Sequence, residues 1–245
     1  MHNDEVAVVI NTTSKYKEIW PMLFGQLEKY SNWNNIYVFT DESAPILEKY
    51  KVVLYDPHVD FCTQYLSCLK KVPEQYCITM NDDYILYDQV NNTEITRLKE
   101  IISGDEKISL IRLLKGLNGT SKQYSDKLYY LELNEEFFYT QGISLWKTRT
   151  LEKIHELCPP SGIGRANNEP QLEVVANLAC KKMKLNGLYY YDNEPKRGMY
   201  HYDSSIVPHI ASALVSGKWN ISEYENELTV LIKKYNINPM VRGLC

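Results

Sequence analysis

The sequence lacks any run approaching the ~20 apolar residues that a membrane-spanning helix needs, and this excludes a helical bilayer span. It also lacks a C-x-x-C pair. Its six cysteines, Cys62, Cys68, Cys77, Cys158, Cys180 and Cys245, lie far apart, which offers neither a zinc site nor a redox dithiol. An excess of positive charge is missing too: Lys and Arg total 27 against 31 Asp and Glu, for a net charge of -4. That balance argues against nucleic acid or an acidic membrane surface as a partner. No export or transit pattern follows Met1, so the expectation is a cytoplasmic chain with reduced thiols. In such a chain the N-x-S/T sequons at Asn11, Asn91, Asn118 and Asn220 are chance occurrences. Repeats, low-complexity tracts and obvious linkers are absent.

What remains is a 245-residue chain with 44% hydrophobic residues, enough to bury the core of one large α/β domain. We expect a single domain over 1–245, regular to about residue 90 and less regular over 91–245. The 20 tyrosines accompany abundant Asn, Lys and Ile, a pattern of coding bias rather than of a sugar-stacking surface.

The first half alternates strand and helix signals. Val6 to Asn11 (VAVVIN) is a short β-branched apolar run and predicts a buried strand. Ile19, Leu23, Leu27 and Tyr30 then recur at helical spacing, and Pro21 confines the helix start to the neighbourhood of Trp20. Ile36 to Thr40 predicts a second strand with Asp41 at its end, and Val52 to Tyr55 a third after a helical stretch near Ser43 to Tyr50. Phe61, Tyr65, Cys68 and Val72 mark one face of a helix closed by Pro73. Tyr76 to Met80 predicts a fourth strand, followed directly by Asn81-Asp82-Asp83. Strands and helices alternating with short links predict a mostly parallel sheet covered by helices.

Further on, Ile95, Leu98 and Ile102 make a helix face; Ile108 to Leu113 and Phe137 to Trp146 predict strands on either side of a polar stretch at Lys115 to Lys127. A helix from Leu172, a strand at Leu188 to Tyr191, and amphipathic helices over Ile206 to Val215 and Ile221 to Tyr235 complete the expectation.

An open parallel sheet binds ligands beyond the carboxyl ends of its strands. Three polar clusters stand at such ends: Asn11-Thr12-Thr13, Thr40-Asp41 and Asn81-Asp82-Asp83. Adjacent acids leaving a buried strand repel each other unless a cation or a donor compensates them. A hard ion, Mn²⁺ or Mg²⁺, suits carboxylate and phosphate oxygens together. A solvated turn, in which Asn and Asp are favoured on backbone grounds, is the plain alternative.

The layout VAVVINTT, IYVFTDE and YCITMNDDYIL resembles the nucleotide-binding half of glycosyltransferases with the GT-A fold, whose metal signature is Asp-x-Asp. The resemblance covers about the first ninety residues well, making 1–90 the nucleotide-binding half and 91–245 an acceptor half with C-terminal helices. It implies a Rossmann-like, mostly parallel sheet, a nucleoside diphosphate sugar as donor, and a hydroxyl acceptor. It places base and ribose at Asn11, Thr12, Thr13 and Asp41, with Asp82 beside them and Asp83 as the direct metal ligand. Asn81 departs from the signature, standing where the first Asp belongs.

The resemblance further implies a base near the start of a helix and a late histidine on the metal or diphosphate. Glu169, in Asn168-Glu169-Pro170-Gln171-Leu172-Glu173, is the candidate base, with Glu173 in reserve; a favourable acid at a helix N-terminus explains the same pattern. His201 is the candidate histidine and His209 the weaker one. Lys196 and Arg197 stand nearby as phosphate contacts or solvated charges. From their chemistry alone, Arg112, Gln141 and Trp146 are candidates for the donor-sugar or acceptor region, although a core strand with a glycine bulge accounts equally for Phe137 to Trp146. Lys115 to Thr120 lacks the spacing of a phosphate-binding loop. The expected activity is sugar transfer from a nucleoside diphosphate sugar to a hydroxyl, with a divalent metal. The alternatives are a nucleotidyltransferase and a non-catalytic carbohydrate-binding or scaffold protein of the same fold.

Overall fold

The structure, a computed structural model, describes residues 6–117, 121–134, 137–162, 171–198 and 200–245. Strand β1 (Val6–Asn11) is buried along almost its whole length, and its side chains alternate between two cores. Val6, Val8 and Ile10 enter one apolar cluster, while Ala7 and Val9 enter the other. A strand that must be apolar on both faces is one covered by helices on both sides. β2 (Ile36–Thr40) and β4 (Tyr76–Asn81) flank it in parallel, and β3 (Lys51–Leu54) extends the sheet beyond β2.

The nine-stranded sheet continues past β4 through strands from the second half. The antiparallel β9 (Ser144–Lys147) separates β4 from β6 (Ile108–Arg112), and β10 (Asn186–Tyr190) lies parallel to β6. β8 (Leu128–Leu131) and β7 (Gln123–Ser125) close that edge as antiparallel strands, giving the order β3-β2-β1-β4-β9-β6-β10-β8-β7. One face carries α1 (Trp20–Tyr30), α3 (Asn92–Gly104) and α6 (Glu225–Lys234); the other carries α2 (Phe61–Leu69), α4 (Thr148–Leu157) and α5 (Leu172–Met183). The result is an α/β fold with a large, mostly parallel central sheet flanked by helices.

Several expectations need correction. The region 43–50 forms only a three-residue 3-10 turn, Pro45–Leu47. Phe137 to Trp146 is a strand only from Ser144, because Asn177 takes the backbone pairing of Tyr139: its Oδ1 accepts from Tyr139 N (2.8 Å) and its Nδ2 donates to Tyr139 O (3.0 Å). The helix over Ile206 to Val215 does not form. Pro208 interrupts that run, and its apolar residues are buried on several sides instead of along one stripe. The chain instead pairs β11 (His209–Ile210) with β5 (Ile85–Leu86), then folds β12 (Leu214–Val215) back on β13 (Lys218–Trp219). Ser216 (φ 51) and Gly217 (φ 78) make the two-residue turn, whose positive φ values suit a tight hairpin. The last helix starts at Glu225, four residues later than its periodicity suggested.

Candidate functional site

β1, β2 and β4 run in the same direction, so their carboxyl ends open on one side of the sheet. There Asn11, Thr12, Thr13, Asn81, Asp82 and Asp83 come together in the wall of a cavity of about 500 Å³. Tyr16, Tyr55, Gln64, Gln141 and the Ser216-Gly217 turn complete much of that wall. Trp20 Nε1 donates to the Thr12 hydroxyl (2.7 Å), which in turn donates to Asp82 Oδ2 (2.7 Å). Tyr55 donates its phenol to Thr12 O (2.8 Å), which ties the end of β3 to the end of β1. Asp41 sits behind this wall, accepting from Ser14 N (2.6 Å) and Ser14 Oγ (2.8 Å). Those donors hold its carboxyl below the ordinary aspartate value, against the opposing effect of burial.

The two central acids behave differently. Burial pushes Asp82 up to about 6, with the Thr12 bond pulling the other way. Asp83 is raised well above the ordinary value, first by burial and then by the charge of Asp82. Its carboxylate takes no hydrogen bond from another residue among those described. Ala213 N donates to Asp83 O (3.1 Å), so the chain leading into the β12–β13 hairpin clamps the Asp83 backbone. Arg242 brings positive charge to the rim: its guanidinium lies 4.4 Å from the Tyr16 ring centroid and donates to Lys15 O (2.5 Å). That charge lowers the proton affinity of Asp82 slightly.

A second cavity of about 610 Å³ adjoins the first. Tyr84 and Gln141 form the joint. Tyr84, immediately after Asp83, lines the second cavity and donates its phenol to Gln141 O (3.1 Å), while Gln141 lines the first. Gln141 N donates to Glu173 Oε1 (2.9 Å), and Glu173, in the first turn of α5, lines the second cavity. Burial raises the Glu173 carboxyl. Arg112, only 3% exposed, reaches the same cavity from the end of β6 and donates to Phe137 O (2.5 Å) and Phe138 O (3.3 Å).

The structure therefore gathers Asn11, Thr12, Thr13, Asp82, Asp83 and Gln141 around one cavity, backed by Asp41, and puts Arg112 and His201 in the other. His201 Nε2 shares a 2.8 Å hydrogen bond with Tyr224 Oη and faces Gly198 and Glu223, not Asp83. Trp146 lies in the core, 1% exposed and packed on Tyr139, and lines neither large cavity. Glu169 lies outside the described residues. Arg197 is held by Asp203 (3.3 Å) and Glu227 (2.7 Å), away from both cavities. Tyr16, Tyr55, Gln64 and Ser216-Gly217 are wall residues that the sequence reading missed. Tyr55 was accessible to the rule used for the other clusters, since it follows β3 directly, and Ser-Gly is a turn signal.

Among the described residues no group of three or more His, Cys, Asp or Glu could hold a metal ion. Mg²⁺ and Mn²⁺ do not require one, because they are commonly held by one or two carboxylates with substrate phosphates and water completing the shell. Asp83, a carboxylate of raised proton affinity at the cavity wall with no partner among the described residues, fits that arrangement.

The fold and cleft define an α/β protein with a paired-cavity site at the carboxyl end of a mostly parallel sheet. No family model and no curated protein matches the sequence. Among solved structures, a cytidylyltransferase from Leptospira borgpetersenii serovar Hardjo-bovis (strain JB197) superposes with a TM-score of 0.49 at 16% identity, over 98% of this chain and 97% of its own. A CMP:2-keto-3-deoxy-manno-octonic acid synthetase complexed with CTP superposes with a TM-score of 0.45 at 10% identity, over 76% of this chain and 89% of its own. At such identities the chemistry of the cleft is read from this chain's own side chains.

Proposed function

We propose that the chain is a metal-assisted transferase that binds a nucleoside diphosphate sugar in the first cavity and passes the sugar to a hydroxyl acceptor in the second. The observation that carries this reading is the Asp82-Asp83 pair: two carboxylates of raised proton affinity, in a cavity of about 500 Å³ at the strand ends, with Asp83 unpartnered among the described residues. The resemblance of the first ninety residues to GT-A glycosyltransferases supports the same assignment. Asn11, Thr12 and Thr13 supply uncharged polar contacts for base and ribose, with Asp41 fixing the loop that carries them.

Asp83, with Asn81 and Asp82 beside it, would hold Mn²⁺ or Mg²⁺ in company with the diphosphate. Such an ion stabilises negative charge developing on a departing phosphate oxygen. The protein's own part is positional. Tyr84 and Gln141 set the distance between the cavities, and Glu173 is a carboxylate of raised proton affinity on the acceptor side, suited to taking a proton from an attacking hydroxyl. His201 is best placed as an acceptor-side residue bonded to Tyr224.

Nucleotidyl transfer is the second reading, and Arg242, ion-paired with Glu18, favours it by standing at the rim beside Tyr16 and Gly217, where a triphosphate would extend. Against it, the Thr12-Thr13-Ser14 turn offers neither glycine nor a basic side chain to cradle phosphates. Thermal-shift screening against UDP-, GDP-, CMP- and dTDP-sugars and against nucleoside triphosphates, with and without Mn²⁺, separates the readings. Metal-dependent stabilisation by a nucleoside diphosphate or its sugar is expected. A response to triphosphates alone replaces the first reading with the second, and silence throughout leaves a non-catalytic protein.

A further inference from the structure

His209 lines the second cavity and carries a buried polar atom that has no partner among the described residues. His209 stands on β11, paired across to Leu86 on the strand that follows Asp83 and Tyr84. Its Nδ1 lies 2.6 Å from Val207 O. A carbonyl only accepts, so Nδ1 carries the proton and Nε2 presents a bare lone pair. That Nε2 is buried and has no hydrogen-bond partner among the described residues, although His209 lines the cavity. Burial also lowers the imidazole to about 4, which keeps the lone pair free of a proton at neutral pH. The ring is held in place by Tyr84, 5.2 Å away between centroids.

Three other polar residues that line the cavity are engaged elsewhere: Arg112 with the Phe137 and Phe138 carbonyls, Glu173 with Gln141 N, and His201 with Tyr224. A buried acceptor with no donor is costly, and a ligand that supplies one recovers that cost. A hydroxyl does so without bringing a charge into the wall. We propose that His209 Nε2 accepts a hydrogen bond from a hydroxyl of the acceptor molecule, and thereby selects which hydroxyl of a polyhydroxylated acceptor is turned toward the Asp83 side of the cleft. This rests on the second cavity being the acceptor site.

The test uses the full chain labelled with ¹⁵N-histidine and a panel of methyl glycosides of glucose, galactose, mannose and N-acetylglucosamine. Binding of a panel member should displace the His209 Nε2 resonance in the direction of a hydrogen-bonded nitrogen while Nδ1 holds its position. His209→Asn keeps a side-chain N–H for Val207 O but is too short to place its Oδ1 acceptor where Nε2 stands, and should weaken that glycoside about three- to tenfold. If that variant does not fold, the wild-type resonance decides alone. Binding with Nε2 unmoved, no binding by any panel member, or unchanged affinity in His209→Asn overturns the assignment. UDP and GDP titrated with Mn²⁺ into the same sample report the first cavity separately. A nucleotide response without a glycoside response removes only the His209 role; a glycoside response without a nucleotide response removes only the donor reading.

Discussion

Without a bound cation, ionised Asp82 should destabilise the fold, and Asp82→Asn should relieve that cost at high pH only. Burial holds Asp82 at about 6 against an ordinary value of 3.8. A rise of that size corresponds to about 3 kcal/mol, which the partial solvent exposure of the side chain reduces to about 2 kcal/mol. The folded state binds this proton more tightly than the unfolded chain does. Its stabilising contribution is therefore fully present below 3.8 and is lost as the pH rises through about 6. Wild type and Asp82→Asn should match near pH ~4, and wild type should be less stable by about 2 kcal/mol near pH ~8. His209 titrates in the same window with the opposite sign. Its value falls from 6.5 to about 4, so its contribution is lost as the pH drops through that interval. The wild-type curve alone mixes the two slopes; subtracting it from the variant's curve at each pH removes the His209 slope and leaves Asp82 together with the part of the Asp83 shift that its charge causes. Urea denaturation in EDTA across this range is the assay. A difference that does not change with pH, or a wild type more stable than the variant near pH ~8, would refute the reasoning.

Other substitutions test the supports of the cleft. Thr12→Val leaves the buried Trp20 Nε1 without its acceptor and Asp82 without its donor, and should cost about 2–4 kcal/mol in urea denaturation; unchanged stability would show that the relay contributes nothing. Asn177→Leu keeps the branching at Cγ but frees both backbone groups of Tyr139, and should cost about 2–4 kcal/mol with faster hydrogen exchange at the Tyr139 amide. Exchange as slow as in wild type would mean that another group holds that segment. In Gly187→Ala the added methyl meets Leu110 Cδ2 at 2.7 Å and Leu131 Cδ1 at 3.1 Å on the neighbouring strands. Overpacking there should cost about 1–3 kcal/mol, read as a lowered Tm.

The first ninety residues were legible because their signals are local. β1, β2 and β4 are uniformly apolar and buried on both faces, and parallel strands necessarily bring their end residues to one side. Asn11, Thr12, Asp82 and Asp83 could thus be grouped before any geometry was known. The second half depends on partners distant in sequence. α4 was missed although Leu151, Ile154 and Leu157 recur at helical spacing in Thr148–Leu157; the face they mark also buries Glu152 and His155. The segment after Ile206 has helical composition, yet its backbone is claimed by β5 and by Asp83 O. His201 shows a related limit: its place between the last sheet strand and the C-terminal helix did not reveal which cavity it would face, and Tyr224 decides that. Trp146 looked like a sugar platform by type, but β9 lies between β4 and β6, inside the sheet, where such a ring can only be core.

The central claim is that Asp83 joins a divalent ion to a nucleoside diphosphate. Isothermal titration of UDP and GDP into wild type and Asp83→Ala, each with Mn²⁺ and with EDTA, tests it most directly. The account predicts that wild type binds a diphosphate with Mn²⁺ and loses it in EDTA, and that Asp83→Ala with Mn²⁺ behaves as wild type does in EDTA. Full Mn²⁺-dependent affinity in Asp83→Ala, or wild-type binding that ignores the metal, would contradict it.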